Sequence, residues 1–194
     1  MSVIRCYITD RRMLGGVGPL LINIERQIIA CVDWIQLREK DLSARELLDL
    51  ARRAVALGKD RGGRTRILIN SRLDVAVAAG AHGVHLPSGS IAASQYKRIA
   101  PSMMVGVSCH NRAELVAAER EGADYVMLSP VFRPLSKKAQ GETLSLAEFA
   151  ELAGAVRIPV IALGGIIEAG IPACERAGAA GVAGISLFQR QVIE

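Results

Sequence analysis

The sequence predicts an α/β fold of the (βα)8 TIM-barrel class, built as a single domain over residues 1–194. Eight short apolar runs, rich in Val and Ile, alternate with amphipathic segments from one end of the chain to the other. Most runs lack a clean alternation of apolar and polar residues, which is typical of parallel strands buried on both faces. Eight such units in series favour a closed barrel. An open doubly wound sheet is the alternative, but it seldom needs eight strands at this length.

The apolar runs are bounded by Gly, Pro or charged residues, and three of them follow a Gly-Ala pair that ends a helical segment. This joint occurs in AAGAHGVHL, REGADYVML and RAGAAGVAGIS, and it indicates serial helix-to-strand units. The predicted strands are, in order, IRCYIT, DWIQLR, RILIN, GVHL, MVGVSC, YVMLSP, PVIALGG and GVAGIS.

Helical periodicity fills the segments between the strands. Ser43 and Glu46 form a capping-box pattern at the start of SARELLDLARRAVALGK. Asn111 can cap NRAELVAAEREGA, which ends at Gly122, and Pro172 must lie near the start of IEAGIPACERAGA. SLAEFAELAGA follows the same plan, whereas SLFQRQVIE leaves little room for a last helix. The apolar face of the first of these helices is predicted to hold Leu47, Leu48, Ala51, Ala54 and Val55.

Composition excludes several classes of function. The net charge is +5, but the basic residues are scattered and form no aromatic-studded stripe of the kind that binds nucleic acid. No apolar run approaches the length of a membrane span. We therefore expect a cytoplasmic protein whose partners are small molecules, with neither nucleic acid nor membrane among them. The four cysteines form no CxxC pair, so neither a disulfide framework nor a metal site is predicted from Cys6, Cys31, Cys109 and Cys174.

Barrels of this class place the active site at the C-terminal ends of the strands, and here those ends are rich in cations, hydroxyls and glycines. We expect Arg38 and Lys40 at the mouth, contacting a carboxylate or phosphate, and Asn70 orienting a ligand. The alternative for the two cations is a surface salt-bridge cluster with Glu39 and Asp41. The remaining candidates for substrate binding are Gln36, Ser108, Ser129 and Lys137.

Three further residues near the strand ends are interpreted as structural. His85 lies within the fourth strand and is expected to line the core, whereas His82 precedes that strand, at the opposite face of the barrel. Cys109 adjoins His110, but neighbouring residues on a strand point to opposite sides, so covalent thiol catalysis is disfavoured.

Five motifs stand in order along the chain: WIQLREK, ILINSRLDVAVAAGAHGVHL, VGVSCHN, GADYVMLSPVF followed by SKK, and IPVIALGGI. In this order and at this spacing they resemble the thiamine phosphate synthase/TenI superfamily along essentially the whole chain. Several ordered motifs together are specific, although none would be alone.

Synthase members of that superfamily join a pyrimidine diphosphate to a thiazole phosphate with Mg²⁺, which two aspartates hold. Here Ser71 and Ser90 occupy the matching positions. A neutral hydroxyl replaces a carboxylate poorly as a Mg²⁺ ligand. In the phosphate loop after the sixth strand, Pro134 replaces the first Thr of a Thr-x-Thr-Lys pattern, while Ser136 and Lys137 remain.

The residues that would hold the thiazole phosphate look intact. They are Gly164 and Gly165 after the seventh strand and Gly184 and Ser186 after the eighth, where barrels commonly bind phosphate through backbone N–H groups. The alternative for the Gly-Gly pair is a simple tight turn.

The PSGS loop, residues 87–90, is similar to the TenI-type branch, whose activity is thiazole tautomerase. The resemblance implies a metal-independent proton shift and places the catalytic histidine after strand five, at His110. A histidine suits proton transfer near neutral pH. Synthase members also have a histidine here, and the alternative role of His110 is to cap the next helix beside Asn111.

We therefore predict a thiazole tautomerase-like isomerase of thiamine biosynthesis, with His110 as general acid–base and no cofactor. One alternative is thiamine phosphate synthase, a transferase that joins hydroxymethylpyrimidine diphosphate to thiazole phosphate and would need Mg²⁺. Another is a non-catalytic regulatory paralogue that binds thiazole phosphate. The expected partner is the phosphorylated thiazole, and a homodimer is left open.

Overall fold

The computed structural model describes residues 3–132 and 143–189. Eight parallel strands follow one another in chain order around a closed barrel, which confirms the predicted α/β TIM-barrel class. The strands are β1 (Ile4–Ile8), β2 (Trp34–Leu37), β3 (Arg66–Asn70), β4 (Gly83–Leu86), β5 (Met104–Cys109), β6 (Tyr125–Leu128), β7 (Val160–Leu163) and β8 (Gly181–Gly184).

Seven α-helices and two 3-10 helices connect the strands within the described ranges. The 3-10 helices span Arg11–Leu14 and Glu168–Gly170. The α-helices are α1 (Val17–Ile29), α2 (Ala44–Asp60), α3 (Leu73–Ala79), α4 (Ala93–Ile99), α5 (Arg112–Arg120), α6 (Leu146–Ala153) and α7 (Ile171–Arg176).

Capping side chains fix the starts of α2 and α5 as the sequence predicts. The Ser43 hydroxyl accepts the Glu46 N–H, and the Glu46 carboxylate accepts the Ser43 N–H at 2.8 Å. Asn111 Oδ1 accepts the Glu114 N–H at 3.0 Å. Each contact satisfies backbone N–H groups that the first helical turn leaves without partners.

Two local predictions need correction. The helix predicted over IEAGIPACERAGA is divided into a 3-10 turn and α7, with Pro172 in the first turn of α7, where its missing N–H does no harm. On α2, Leu50 is buried whereas Leu48 is half-buried, because positions 47, 50, 51 and 54 follow the helical period more closely. The described part of SLFQRQVIE forms a turn, in which the Phe188 N–H donates to the Ile185 carbonyl.

The chain groups into two compact units. The N-terminal unit comprises Arg5–His85 and Ile185–Glu194, and the C-terminal unit comprises Met1–Ile4 and Leu86–Gly184. The single-domain boundary of 1–194 stays a prediction. No helix of the described residues is long and apolar enough to cross a membrane.

Burial of consecutive strand residues explains why the apolar runs do not alternate. In the N-terminal unit, Ile67, Leu68 and Ile69 of β3 are fully buried. In the C-terminal unit, the same holds for residues 126–128 of β6. Strands covered on both faces need apolar side chains at odd and even positions alike.

Candidate active site

Gln36 and Asn70 meet at the ends of neighbouring strands in the N-terminal unit. Gln36 Nε2 donates to Asn70 Oδ1 at 3.1 Å, and Asn70 Nδ2 donates to Ser71 Oγ at 2.9 Å. Gln36 is buried, and its Oε1 has no hydrogen-bond donor among the described residues. Because a buried acceptor without a donor costs about 1–3 kcal/mol, Gln36 is suited to accept a hydrogen bond from a ligand.

Arg38 and Lys40 have no carboxylate partner within the described part of the chain. The acids beside them are engaged by Arg11, which lies 3.2 Å from Glu39 Oε2 and 2.5 Å from Asp41 Oδ2. This differs from the salt-bridge cluster considered above, because the acids pair with an arginine of the preceding loop. The charges of Arg38 and Lys40 are therefore left for an anionic ligand.

A cavity of about 310 Å³ opens beside Lys40 in the N-terminal unit. Arg72 on its wall forms a two-point ion pair with Asp74, at 2.9 and 2.6 Å, so that this arginine is already neutralised. The lining consists of Leu37, Glu39, Lys40, Leu42, Leu47, Asn70, Ser71 and Arg72.

Ser71 and Ser90, at the positions where synthase members carry metal-binding aspartates, offer only hydroxyls. In the N-terminal unit, Ser71 adopts a left-handed backbone conformation, with φ of 63°, and its hydroxyl accepts from Asn70. In the C-terminal unit, the Ser90 hydroxyl donates to the Pro87 carbonyl at 2.8 Å. Mg²⁺ prefers anionic oxygen ligands, so this donor set does not fit it. Across residues 3–132 and 143–189, no group of three or more His, Cys, Asp or Glu residues could hold a metal ion.

His85 lies in the interior of β4, as expected, and is only 3% exposed. Burial, followed by the positive charge of Arg38, lowers the pKa of His85 to about 3. The imidazole is therefore neutral in the folded protein at neutral pH. His82, at the N-terminal end of β4, is exposed and accepts the Ile67 N–H at 3.0 Å.

Acid should destabilise the fold through His85. Between pH 6.5 and 3 the unfolded chain binds a proton that folded His85 does not, so the free energy of unfolding should fall with pH by up to about 1.4 kcal/mol per pH unit. Urea unfolding at pH 7, 6 and 5 measures this slope, and His85→Gln should reduce it. An unchanged slope in that variant would show that other groups, His82 among them, carry the acid sensitivity.

His110 is anchored through one ring nitrogen in the C-terminal unit. Its Nδ1 lies 2.9 Å from the Ser129 carbonyl oxygen and 3.4 Å from the Ser129 hydroxyl. Because a carbonyl only accepts, Nδ1 must carry the hydrogen, which leaves Nε2 as the acceptor. The His110 N–H donates to Glu114 Oε2 at 2.8 Å, while Asn111 caps α5. The ring of His110 is thus not the helix cap and is exposed for proton transfer.

Cys109 is the last residue of β5 and directly precedes His110. Its side chain is fully buried, and burial, followed by the charge of Glu114, raises the thiol pKa to about 12. A neutral thiol is a poor nucleophile at neutral pH. Cys109 and half-buried Ser108 line a cavity of about 220 Å³ together with Ser88 and Ser90.

The glycines predicted to bind phosphate follow two neighbouring strands of the C-terminal unit. Leu163 of β7 pairs in register with Ala183 of β8, so Gly164 and Gly184 follow at the same edge. Gly164 and Gly165 have φ of 113° and 58°, a region that side chains disfavour. A Cβ on Gly164 would lie 3.0 Å from Pro130, so a turn role also accounts for this glycine.

Ser186 belongs to a turn of the N-terminal unit that Gln189 holds in place. Gln189 Oε1 accepts from the Tyr7 hydroxyl at 3.0 Å and from the Asp10 N–H at 2.8 Å, and its Nε2 donates to the Asp10 carbonyl. Ser186 is half-buried. Lys137, like Pro134 and Ser136, lies outside the described residues.

Sequence reasoning considered Glu39 only as a possible surface salt-bridge partner of Arg38 and Lys40, although its carboxylate is buried and engaged by several donors. It accepts from Thr9 and from Arg11 and is 5% exposed. The available signal was its position directly after a buried strand, where an acid stands between two cations.

Three comparisons bear on the identity of the chain. Residues 6–188 match the family model described as thiamine monophosphate synthase. A "Putative thiamine-phosphate synthase" of Geobacter sulfurreducens is 48% identical over 180 residues, covering 92% of this chain and 83% of the relative. A "Thiamine-phosphate synthase" of Methanoculleus marisnigri is 43% identical over 155 residues, covering 79% and 72%.

The fold of the thiamine phosphate pyrophosphorylase from Pyrococcus furiosus superposes with a TM-score of 0.84 at 27% identity, covering 97% of this chain and 89% of that one. These names support the transferase alternative over the isomerase that the sequence motifs favoured. The match along most of the chain shows that it belongs to the thiamine monophosphate synthase family.

Proposed function

We propose that the chain is a thiazole tautomerase-like isomerase that aromatises a thiazole carboxylate phosphate by a proton shift. The observation that carries this proposal is the anchored imidazole of His110, whose Nε2 is left as a base. Nε2 would take a proton from a ring-system carbon, and the resulting imidazolium would return one elsewhere on the same molecule. The shift gains and loses no atoms, so it needs no second substrate.

The substrate class carries a phosphate and a carboxylate, and both units offer groups for anions. In the N-terminal unit these are Arg38 and Lys40, for which residues 3–132 and 143–189 supply no carboxylate partner. In the C-terminal unit they are the backbone N–H groups near Gly164, Gly165 and Gly184, which follow β7 and β8. Gln36 Oε1 would accept a hydrogen bond from the ligand.

The second candidate is thiamine-phosphate synthase, and the printed names of the relatives favour it. That transferase would require Mg²⁺, for which Ser71 and Ser90 are unsuitable ligands. The lack of suitable Mg²⁺ ligands at these two positions favours the isomerase.

The two candidates differ in what a chelator does. We expect purified protein in excess EDTA to accelerate the tautomerisation of thiazole carboxylate phosphate over buffer alone, as followed by ultraviolet absorbance. A parallel reaction with hydroxymethylpyrimidine diphosphate and thiazole phosphate, with and without Mg²⁺, tests the transferase. Thiamine phosphate formed only with Mg²⁺, with no tautomerisation in EDTA, would establish the transferase instead. Saturable binding of thiazole phosphate without turnover in either assay would indicate the regulatory paralogue.

A further inference from the structure

We propose that Glu39 is a positioning residue, which fixes the backbone from which Arg38 and Lys40 present their charges to an anionic ligand. It acts together with Thr9 and Arg11, and the three residues are called the Glu39 clamp below. The identity of the ligand as a substrate rests on the proposed function, whereas the clamp itself rests on contacts in the N-terminal unit.

The clamp engages both oxygens of the Glu39 carboxylate. Oε1 accepts the Thr9 hydroxyl at 2.6 Å and the Arg11 N–H at 3.0 Å. Oε2 accepts the same N–H at 3.2 Å and the Arg11 guanidinium at 3.2 Å. Thr9 is fully buried and Glu39 nearly so. A buried carboxylate bonded in this way is costly to disturb, since removing its charge leaves its donors without their acceptor.

The clamp also holds the chain on either side of Lys40. The Thr9 hydroxyl oxygen accepts the Arg38 N–H at 3.0 Å, and the Glu39 carbonyl accepts the Leu42 N–H at 3.2 Å. Lys40 itself is exposed. The Lys40 side chain therefore projects from a short segment whose backbone is fixed at both ends. Before Lys40 the backbone is hydrogen-bonded to Thr9, which follows β1, and after it the chain forms a turn.

If Glu39 acted only through its charge, it would weaken anion binding and not support it. A carboxylate next to two cations lowers the local positive potential and should weaken anion binding. The positioning role instead requires that losing the carboxylate weakens anion binding, although the segment becomes more positive. The two accounts predict changes of opposite sign, which makes the role measurable.

The test compares Glu39→Gln with Asp41→Asn, two variants that remove one negative charge each from the same loop. Inorganic phosphate is titrated into ¹⁵N-labelled full-length protein, and the dissociation constant is read from the amide shifts of Arg38 and Lys40. We expect Glu39→Gln to weaken phosphate binding about tenfold, a typical cost for a lost charge-assisted contact. Asp41→Asn, whose ion pair is partly exposed, should bind phosphate equally or more tightly.

Tautomerisation kinetics give a second readout, because loss of ground-state positioning should raise KM about tenfold while kcat changes less than about twofold.

Equal or tighter phosphate binding by Glu39→Gln would overturn the proposal, as would the absence of a saturable phosphate response at Arg38 and Lys40 in the parent protein. If Glu39→Gln does not fold, Thr9→Val and Thr9→Ser decide: only Thr9→Val should weaken binding, since Ser keeps the hydroxyl. If phosphate binding at Arg38 and Lys40 depends on the clamp but the protein never tautomerises the thiazole, the proposed function is refuted and the positioning role of Glu39 stands.

Discussion

Replacing His110 with alanine is expected to lower kcat for the metal-independent tautomerisation by about 10²- to 10⁴-fold, the usual contribution of a positioned general acid–base. The residue is exposed, and its anchors are the backbone carbonyl of Ser129 and the carboxylate of Glu114. Alanine keeps the N–H that donates to Glu114, so α5 should retain its start. The loss should therefore appear in kcat with little change in the melting temperature.

His82→Ala is the matched control, since it removes an exposed imidazole from the N-terminal end of β4. We expect it to change kcat less than about threefold, because active sites of this fold lie at the other end of the strands. Full activity in His110→Ala would assign the proton shift to another group. An increase in KM alone would reduce His110 to a binding residue.

The fold could be predicted from the sequence because strands that are buried on both faces appear in it as short continuous apolar runs. RILIN, GVHL and MVGVSC match β3, β4 and β5 to the residue. The remaining runs were predicted slightly too long, since they include polar or glycine residues that follow the last strand residue. Thr9 and Ser129 lie just beyond β1 and β6, although their N–H groups still donate to the Gln36 and Cys109 carbonyls. The position of His110 after β5 could also be predicted from the sequence, because the order of the motifs places it there.

The contacts that organise the site could not be predicted, because they join residues far apart in the chain. Arg11 and Glu39 are separated by 28 positions, and Tyr7 and Gln189 by 182. Sequence alone shows Glu39 as an acid between two cations, and that pattern suggests a pair with Arg38 or Lys40. Only the tertiary arrangement reveals that Arg11 takes the carboxylate and leaves those two cations without a carboxylate partner among the described residues.

The same limit applies to Gly106, in the middle of β5, where nothing in MVGVSC indicates why a glycine is required. Gly106 pairs in register with Tyr125 of β6, and Tyr125 is 1% exposed. A Cβ on Gly106 would lie 2.0 Å from Tyr125 Cζ and 2.4 Å from its hydroxyl oxygen. The glycine therefore makes room for a buried ring.

Gly106→Ala should accordingly lower the free energy of unfolding by about 3 kcal/mol, at the upper end for an overpacked core. In a chain of this length that corresponds to a fall in melting temperature of roughly 6–12 °C. Gly58→Ala is the control: its Cβ would meet only the Thr65 carbonyl, at 3.8 Å, and the alanine should stabilise α2 by up to about 1 kcal/mol. The same substitution should thus have opposite signs at the two positions, as measured by urea unfolding.

A double variant, Gly106→Ala with Tyr125→Ala, separates the clash from other effects of the alanine. In the Tyr125→Ala background, Gly106→Ala should lower the free energy of unfolding much less than it does in the parent protein. The difference between the two losses measures the coupling of the two positions, which should be large. Additive losses would mean that the strand rather than the ring resists the Cβ. Because His110 directly follows β5, a displaced β5 would also move His110. Gly106→Ala should then lower kcat by more than the loss of folded protein explains. The double variant should partly restore kcat.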